Sequence, residues 1–262
     1  MTRVLTTRGD AAPRSSASAG TTGDAPRSSP IVPLVAALLV AGTLIYIKTA
    51  DLDAIETRSL AIGELLVRLA EHVQLVAVST VVVVALGVPL GILLSRQAAG
   101  PLQAPVLAVA NAGQAIPSIG ILVLLALLYD VGFAMAVVSL VVYALLPVLR
   151  NTMVGLRQVD RSIIDAARGM GMGSRRILFT VELPLAVPVM LAGIRIALIL
   201  NVGVATLATY TNAGGLGDLI ERGIVFYRMP ILLSGCLLTI ALALLVDWLA
   251  GVAESRLRPR GL

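Results

Sequence analysis

The chain has 262 residues, 58% of them hydrophobic and only 13% charged, whereas a soluble domain carries roughly 25% charged residues. Its mean hydropathy of +0.95 excludes water as the main solvent, and its formal charge of +5 does not signal a nucleic-acid surface, because the arginines lie between apolar runs. One cysteine, Cys236, and one histidine, His72, exclude an intramolecular disulfide, a C-x-x-C metal site and an H-E-x-x-H site.

Residues 1–30 are Ser, Thr, Ala, Gly and Pro with scattered Arg, too polar to offset ordering entropy, and are expected to form a disordered tail. The apolar run 31–47 follows without a small-x-small cleavage site, which predicts an uncleaved helix rather than a signal peptide. Further runs at 75–94, 105–129, 131–149, 183–210 and 231–250 each approach the roughly 20 residues that cross a bilayer. Period-two alternation is missing, so the expected fold is all-α: a polytopic membrane bundle of about six transmembrane helices over 31–250, with 251–262 as a second tail.

Lysine and arginine are distributed unevenly between the connecting segments. Both tails, Arg96 and the 150–182 segment hold fourteen, whereas the alternate loops hold five: Lys48, Arg58, Arg68, Arg222 and Arg228. Cytoplasmic loops hold such an excess, so both termini and the 150–182 segment are expected in the cytoplasm. The first outer loop is acidic, with Asp51, Asp53, Glu56, Glu64 and Glu71.

The segment 155–184 is too polar to span and longer than an ordinary helix connection. Ile163, Ile164, Ala167 and Met170 share one helical face while Arg161, Asp165 and Arg168 fall near another, which predicts a short amphipathic helix. Gly169, Gly171 and Gly173 break it before a second helical stretch near 175–181. Such a helix-turn-helix suits a groove on a cytoplasmic partner.

Here the chain resembles a known family. Asp165-Ala166-Ala167, three residues, Gly171, nine residues, Val181, one residue and Leu183-Pro184 match the spacing of the EAA loop of ABC importer permeases at every position. Asp165 stands for the usual Glu and Val181 for Ile. The resemblance implies a type I importer fold in which Asp165, Ala166, Ala167, Gly171, Val181, Leu183 and Pro184 couple to cytoplasmic ATP-binding subunits. The small residues allow close approach of a partner backbone. A plain positive-inside anchor loop would explain the arginines but not the spacing.

The stretch 182–224, with Asn201-x-Gly203 and Gly214-Gly215-Leu216-Gly217, is similar to permeases of osmoprotectant importers for glycine betaine, carnitine, choline or proline betaine. Parts of it are shared with methionine permeases, so a permease for methionine or another amino acid remains the alternative. The resemblance implies a bacterial cell membrane protein with a second permease copy or paralogue and an extracellular solute-binding protein as partners. ATP and Mg would sit on the partner ATPase, and this chain would bind no cofactor.

The absences agree with that reading. No G-x-x-x-x-G-K-[ST] loop is present, since Lys48 is the one lysine and Ile47 precedes it. No G-x-S-x-G elbow occurs either, so an enzyme is not expected. Aromatic residues make up 3% of the chain and are scattered, which leaves a quaternary-ammonium cage to the solute-binding protein. An ion-coupled carrier, a reading from another class, would need buried carboxylates in its central spans, and these are nearly absent.

Polar residues inside spans should face the bundle interior or a wet path. Asn111, Gln114 and Ser118 in the third run and Asn201, Thr206 and Thr209 in the fifth are candidates for the translocation path, with interhelical hydrogen bonding as the alternative. Arg195 lies deep in the fifth run and Asp247 is a candidate partner for it. Gly214, Gly215 and Gly217 between the last two runs are candidates for an outer gate, or for a plain connector.

Overall fold

The computed structural model describes residues 30–257; the expected first tail, apart from Pro30, and residues 258–262 lie outside the described residues. The elements in order are α1 Ile31–Thr49, α2 Ala54–Ser59, α3 Ile62–Leu94, α4 Gly100–Ala115, α5 Ser118–Leu128, α6 Phe133–Arg157, α7 Arg161–Gly169, α8 Ser174–Ile177, α9 Leu183–Val204, α10 Gly217–Val225 and α11 Met229–Leu257. No strand occurs among the described residues. Five helical stretches are long and apolar enough to cross a membrane, and a sixth is made when α4 and α5 count as one broken span.

Helices α3, α6 and α9 form the centre, α11 packs on α9, and α1 packs on α11. The contacts are close because small residues face the neighbouring backbone. A Cβ on Gly91 of α3 would meet Thr152 of α6 at 2.6 Å, and one on Gly193 of α9 would meet the Pro147 carbonyl oxygen of α6 at 2.8 Å. Around these approaches Val83, Ala144, Val148 and Ala197 are buried together. Most of α1 stays exposed, with Leu34, Leu38 and Ile45 at about 60%, as suits a helix turned toward lipid.

The structure differs from the expected elements in several places, among them α6, expected over 131–149, which continues to Arg157. Helix α3 begins at Ile62 and runs for 33 residues, about 50 Å, so the acidic "loop" residues Glu64 and Glu71 are helical. They carry a helix there because Arg68 pairs with both, Glu64 at 2.8 Å and Glu71 at 3.0 Å, one turn away on either side. The run expected at 105–129 is two helices bent by 96°, because Pro117 lacks an N–H and disfavours helix at Ile116, whose ψ is 134°. Helix α11 continues past residue 250 to Leu257, so the first seven residues of the expected second tail are helical.

Candidate functional site

Three regions of the bundle gather the residues singled out above: its two ends and one lateral face. The end bearing α7 and α8 is called the near end, and the end bearing α2 and α10 the far end.

At the near end the expected amphipathic helix is α7. Asp160 caps it, its carboxylate accepting from the Ser162 N–H at 2.8 Å, and that bond holds the Asp160 carboxyl below its usual range. The C-terminus closes in a Schellman motif: Met172 N–H donates to the Ala167 carbonyl and Gly171 N–H to that of Arg168. Gly171 takes the left-handed position with φ +81°, which gives the glycine of the spaced motif a conformational reason. Of the face predicted to be apolar, Ala167 is 1% exposed, but Ile163 and Met170 are 44% and 72% exposed. Asp165, Ala166 and Gly171 are exposed as well. Helix α7 therefore presents a mixed apolar and polar outer surface and keeps one small anchor inside.

Helix α8 passes through a π-turn, Leu178–Glu182, into α9. Pro184 in the first turn of α9 lacks an N–H and crowds the carbonyl four residues back; the wider turn accommodates both defects. Val181 and Leu183 are half-buried and Pro184 is exposed. Glu182, 7% exposed, forms a two-point ion pair with Arg96 just beyond α3, with Nη1 to Oε1 at 3.2 Å. That pair ties the start of α9 to the end of α3. It borders a cleft of about 880 Å³ that also receives Arg157, Asp165 and Arg168.

The second region is the face shared by α4, α5 and α6. The Gln114 amide donates to the Tyr143 carbonyl at 3.1 Å, Arg150 Nη2 donates to Asn111 Oδ1 at 2.9 Å, and Arg157 Nη2 donates to Gln103 Oε1 at 2.8 Å. These rungs form a polar ladder from the near end toward the break. Asn111, Arg150 and Arg157 are exposed, as are Ile116 and Pro117 at the break, and Ser118 opens α5 half-buried. Non-helical backbone at membrane depth is tolerated where it is buried in protein or lines water, and charged side chains follow the same rule.

The other path candidates are not on this face. Asn201 is fully buried and its amide donates to Ser79 Oγ and Thr80 Oγ1, both at 3.1 Å, joining α9 to α3. Thr206 Oγ1 donates back to the Gly203 carbonyl at 2.7 Å. Thr209 lies at the far end, where its hydroxyl meets Asp218 and Glu221. Arg195 has the partner that the sequence suggested, a bidentate pair with Asp247 at 2.6 and 2.9 Å.

At the far end the glycine loop is latched to α3. Gly214 and Gly215 have φ +76° and +96°, and Gly215 N–H donates to Glu71 Oε2 at 2.9 Å. Leu216 N–H donates to His72 Nδ1 at 3.3 Å, so His72 carries its proton on Nε2, which faces the Val202 carbonyl at 3.1 Å. Gly217 sits against the Thr206 backbone, where a Cβ would clash. Asp218 completes the latch with Arg68 at 2.7 Å. Sequence reasoning missed Glu71, His72, Glu182 and Arg150; for Glu182 and Arg150 the only signal was a charged group beside an apolar run.

Comparison with known proteins adds to this geometry. Residues 87–259 match the family described as binding-protein-dependent transport system inner membrane component. A choline transport system permease protein of Bacillus subtilis (strain 168) is 38% identical over 76% of this chain and 91% of its own length. A carnitine transport permease protein of Listeria monocytogenes is 39% identical over 76% and 90%. An osmoprotectant import permease protein of Salmonella typhimurium is 42% identical over 72% and 80%. Among solved structures, an inward-facing MetNI methionine ABC transporter chain superposes with a TM-score of 0.68 at 25% identity, over 74% of this chain and 96% of that one.

Proposed function

The chain belongs to the family of binding-protein-dependent transport system inner membrane components, and on that premise we propose that it is the permease subunit of an ABC importer for an osmoprotectant such as glycine betaine, choline or carnitine. The observation that carries the reading is the near end: α7 offers Asp165, Ala166 and Gly171 on its exposed surface while Glu182 fastens the following helix to α3. A push on α7 is thereby delivered to two central helices. In this reading Ala167, Val181, Leu183 and Pro184 shape the segment rather than touch the partner.

The near end faces the cytoplasm and two ATP-binding subunits, which hold ATP and Mg; the far end faces an extracellular solute-binding protein. A second permease copy or paralogue completes the path, and the chain itself catalyses no reaction. The ATPases drive the cycle by binding one conformation of the pair more tightly than the other. Asn111, Gln114 and Ser118 border the path, whereas Asn201 and Thr209 hold helices together, and the loop at Gly214, Gly215 and Gly217 closes the far end through its latch to α3.

The test is uptake of radiolabelled glycine betaine, carnitine, choline and methionine in a host lacking its own systems, with the chain expressed beside its ATPase and binding protein. Uptake of one or more of the first three supports the reading. Uptake of methionine alone by the assembled complex sinks it and moves the chain to the amino-acid importers.

A further inference from the structure

We propose that Arg150 reads the carboxylate of the cargo in the translocation path, so that the preferred cargo is a zwitterion with a carboxylate rather than a bare quaternary cation; this rests on the osmoprotectant reading above. Arg150 belongs to α6, seven residues before its last residue, Arg157, which places it about 10 Å inside the helix end. It is exposed and its partner is the neutral Asn111 amide oxygen. A guanidinium has five N–H donors, and among the described residues Arg150 makes no ion pair. Arg195, likewise inside a long helix, is neutralised by Asp247 instead.

Two independent features make this face wet. A charge turned toward hydrocarbon is costly, and the 96° break at the exposed residues Ile116 and Pro117 interrupts the helical hydrogen-bond ladder of the neighbouring helix pair, an interruption that protein or water accommodates better than lipid. Arg150 is thus a fixed positive charge on a water-facing wall, held sideways by Asn111 with most of its donors open. A guanidinium fork matches a carboxylate in two parallel hydrogen bonds. A zwitterion passing the wall gains that contact and keeps its ammonium group away from it. A cation without a carboxylate meets only like charge.

The experiment compares glycine betaine and choline uptake by the whole complex, each at a concentration saturating for the binding protein, in the wild type, Arg150→Gln and Arg150→Lys. The proposal expects Arg150→Gln to lower glycine betaine uptake about tenfold relative to choline, the scale of losing hydrogen bonds to a charged group, with Arg150→Lys between. Equal loss for both solutes, or no loss for either, overturns it while leaving the importer reading in place. Import of neither solute by the assembled wild-type complex overturns both. Independently, Arg150→Cys in a Cys236→Ala background should react with a charged, water-soluble thiol reagent in the assembled complex. A thiol unreactive there would mean a wall buried against lipid or the second copy, and the proposal fails.

Discussion

Replacing Glu182 by Gln separates the start of α9 from the end of α3 without changing side-chain size. The Glu182 side chain is 9% exposed and that of Arg96 is 38% exposed. A fully buried pair loses roughly 3–5 kcal/mol when one partner is removed and an exposed pair at most about 1 kcal/mol. Half-buried geometry places the cost between these, at about 2 kcal/mol, a factor of roughly 30 in the folding equilibrium. In a chain of this size that lowers the melting temperature by about 6 °C. Differential scanning fluorimetry of the purified permease in detergent measures it, and a cycle with Arg96→Leu, Glu182→Leu and the double variant isolates the pair. A cycle coupling near zero, or an unshifted melting curve for Glu182→Gln, refutes the argument that this pair fastens the two helices. If the pair also transmits the push on α7, Glu182→Gln slows uptake while ATPase subunits still co-purify.

Further predictions follow from single contacts. Asp247→Leu removes the bidentate partner of Arg195, leaving it Glu254 at 3.6 Å, and should cost about 1 kcal/mol in the same melting assay, whereas Arg195→Leu with Asp247→Leu should recover part of it. Gly193→Leu drives a side chain into Pro147 and Asn151 of α6 and should cost roughly 1–3 kcal/mol or prevent assembly, read by size-exclusion chromatography. The Asp160 cap has a sign that can be checked. The Ser162 N–H holds its carboxyl below the ordinary carboxylate range, so its contribution to α7 is present above that range and disappears as pH falls through the lowered one. Wild type and Asp160→Ala should therefore differ in amide exchange over α7 at neutral pH and converge in acid.

Much of the architecture was legible as hydropathy, because length and apolarity are what a bilayer demands of a helix. The spacing from Asp165 to Pro184 was legible for a similar reason: a left-handed C-terminal position admits little but glycine, and Gly171 occupies it. Local breaks were harder to read. Pro117 bends its span by 96°, yet Pro89, Pro105, Pro147 and Pro188 lie inside helices that continue, because neighbouring helices hold the chain on either side. Glu64 and Glu71 read as loop residues because hydropathy starts the apolar run only at residue 75, although their spacing of four and three residues from Arg68 is that of helical ion pairs. The charge of Arg150 points to the loop by sequence, although the residue lies well within α6. The bonds that Asn201 makes to α3 and Thr209 to α10 were not legible, because such contacts leave no periodic signature.

The most direct test of the account is to co-purify the ATPase subunits with the wild-type permease, Gly171→Asn and Gly171→Trp, and to measure cargo uptake on the same membranes. Asparagine tolerates the left-handed backbone and adds little bulk, and a side chain at position 171 points into open space. The account predicts a permease that still folds in the membrane in all three, capture and uptake near normal for Gly171→Asn, and loss of both for Gly171→Trp, which puts bulk on the docking surface in addition to the strain of the left-handed backbone. Full capture and full uptake with Gly171→Trp would contradict the assignment of α7 as the coupling element.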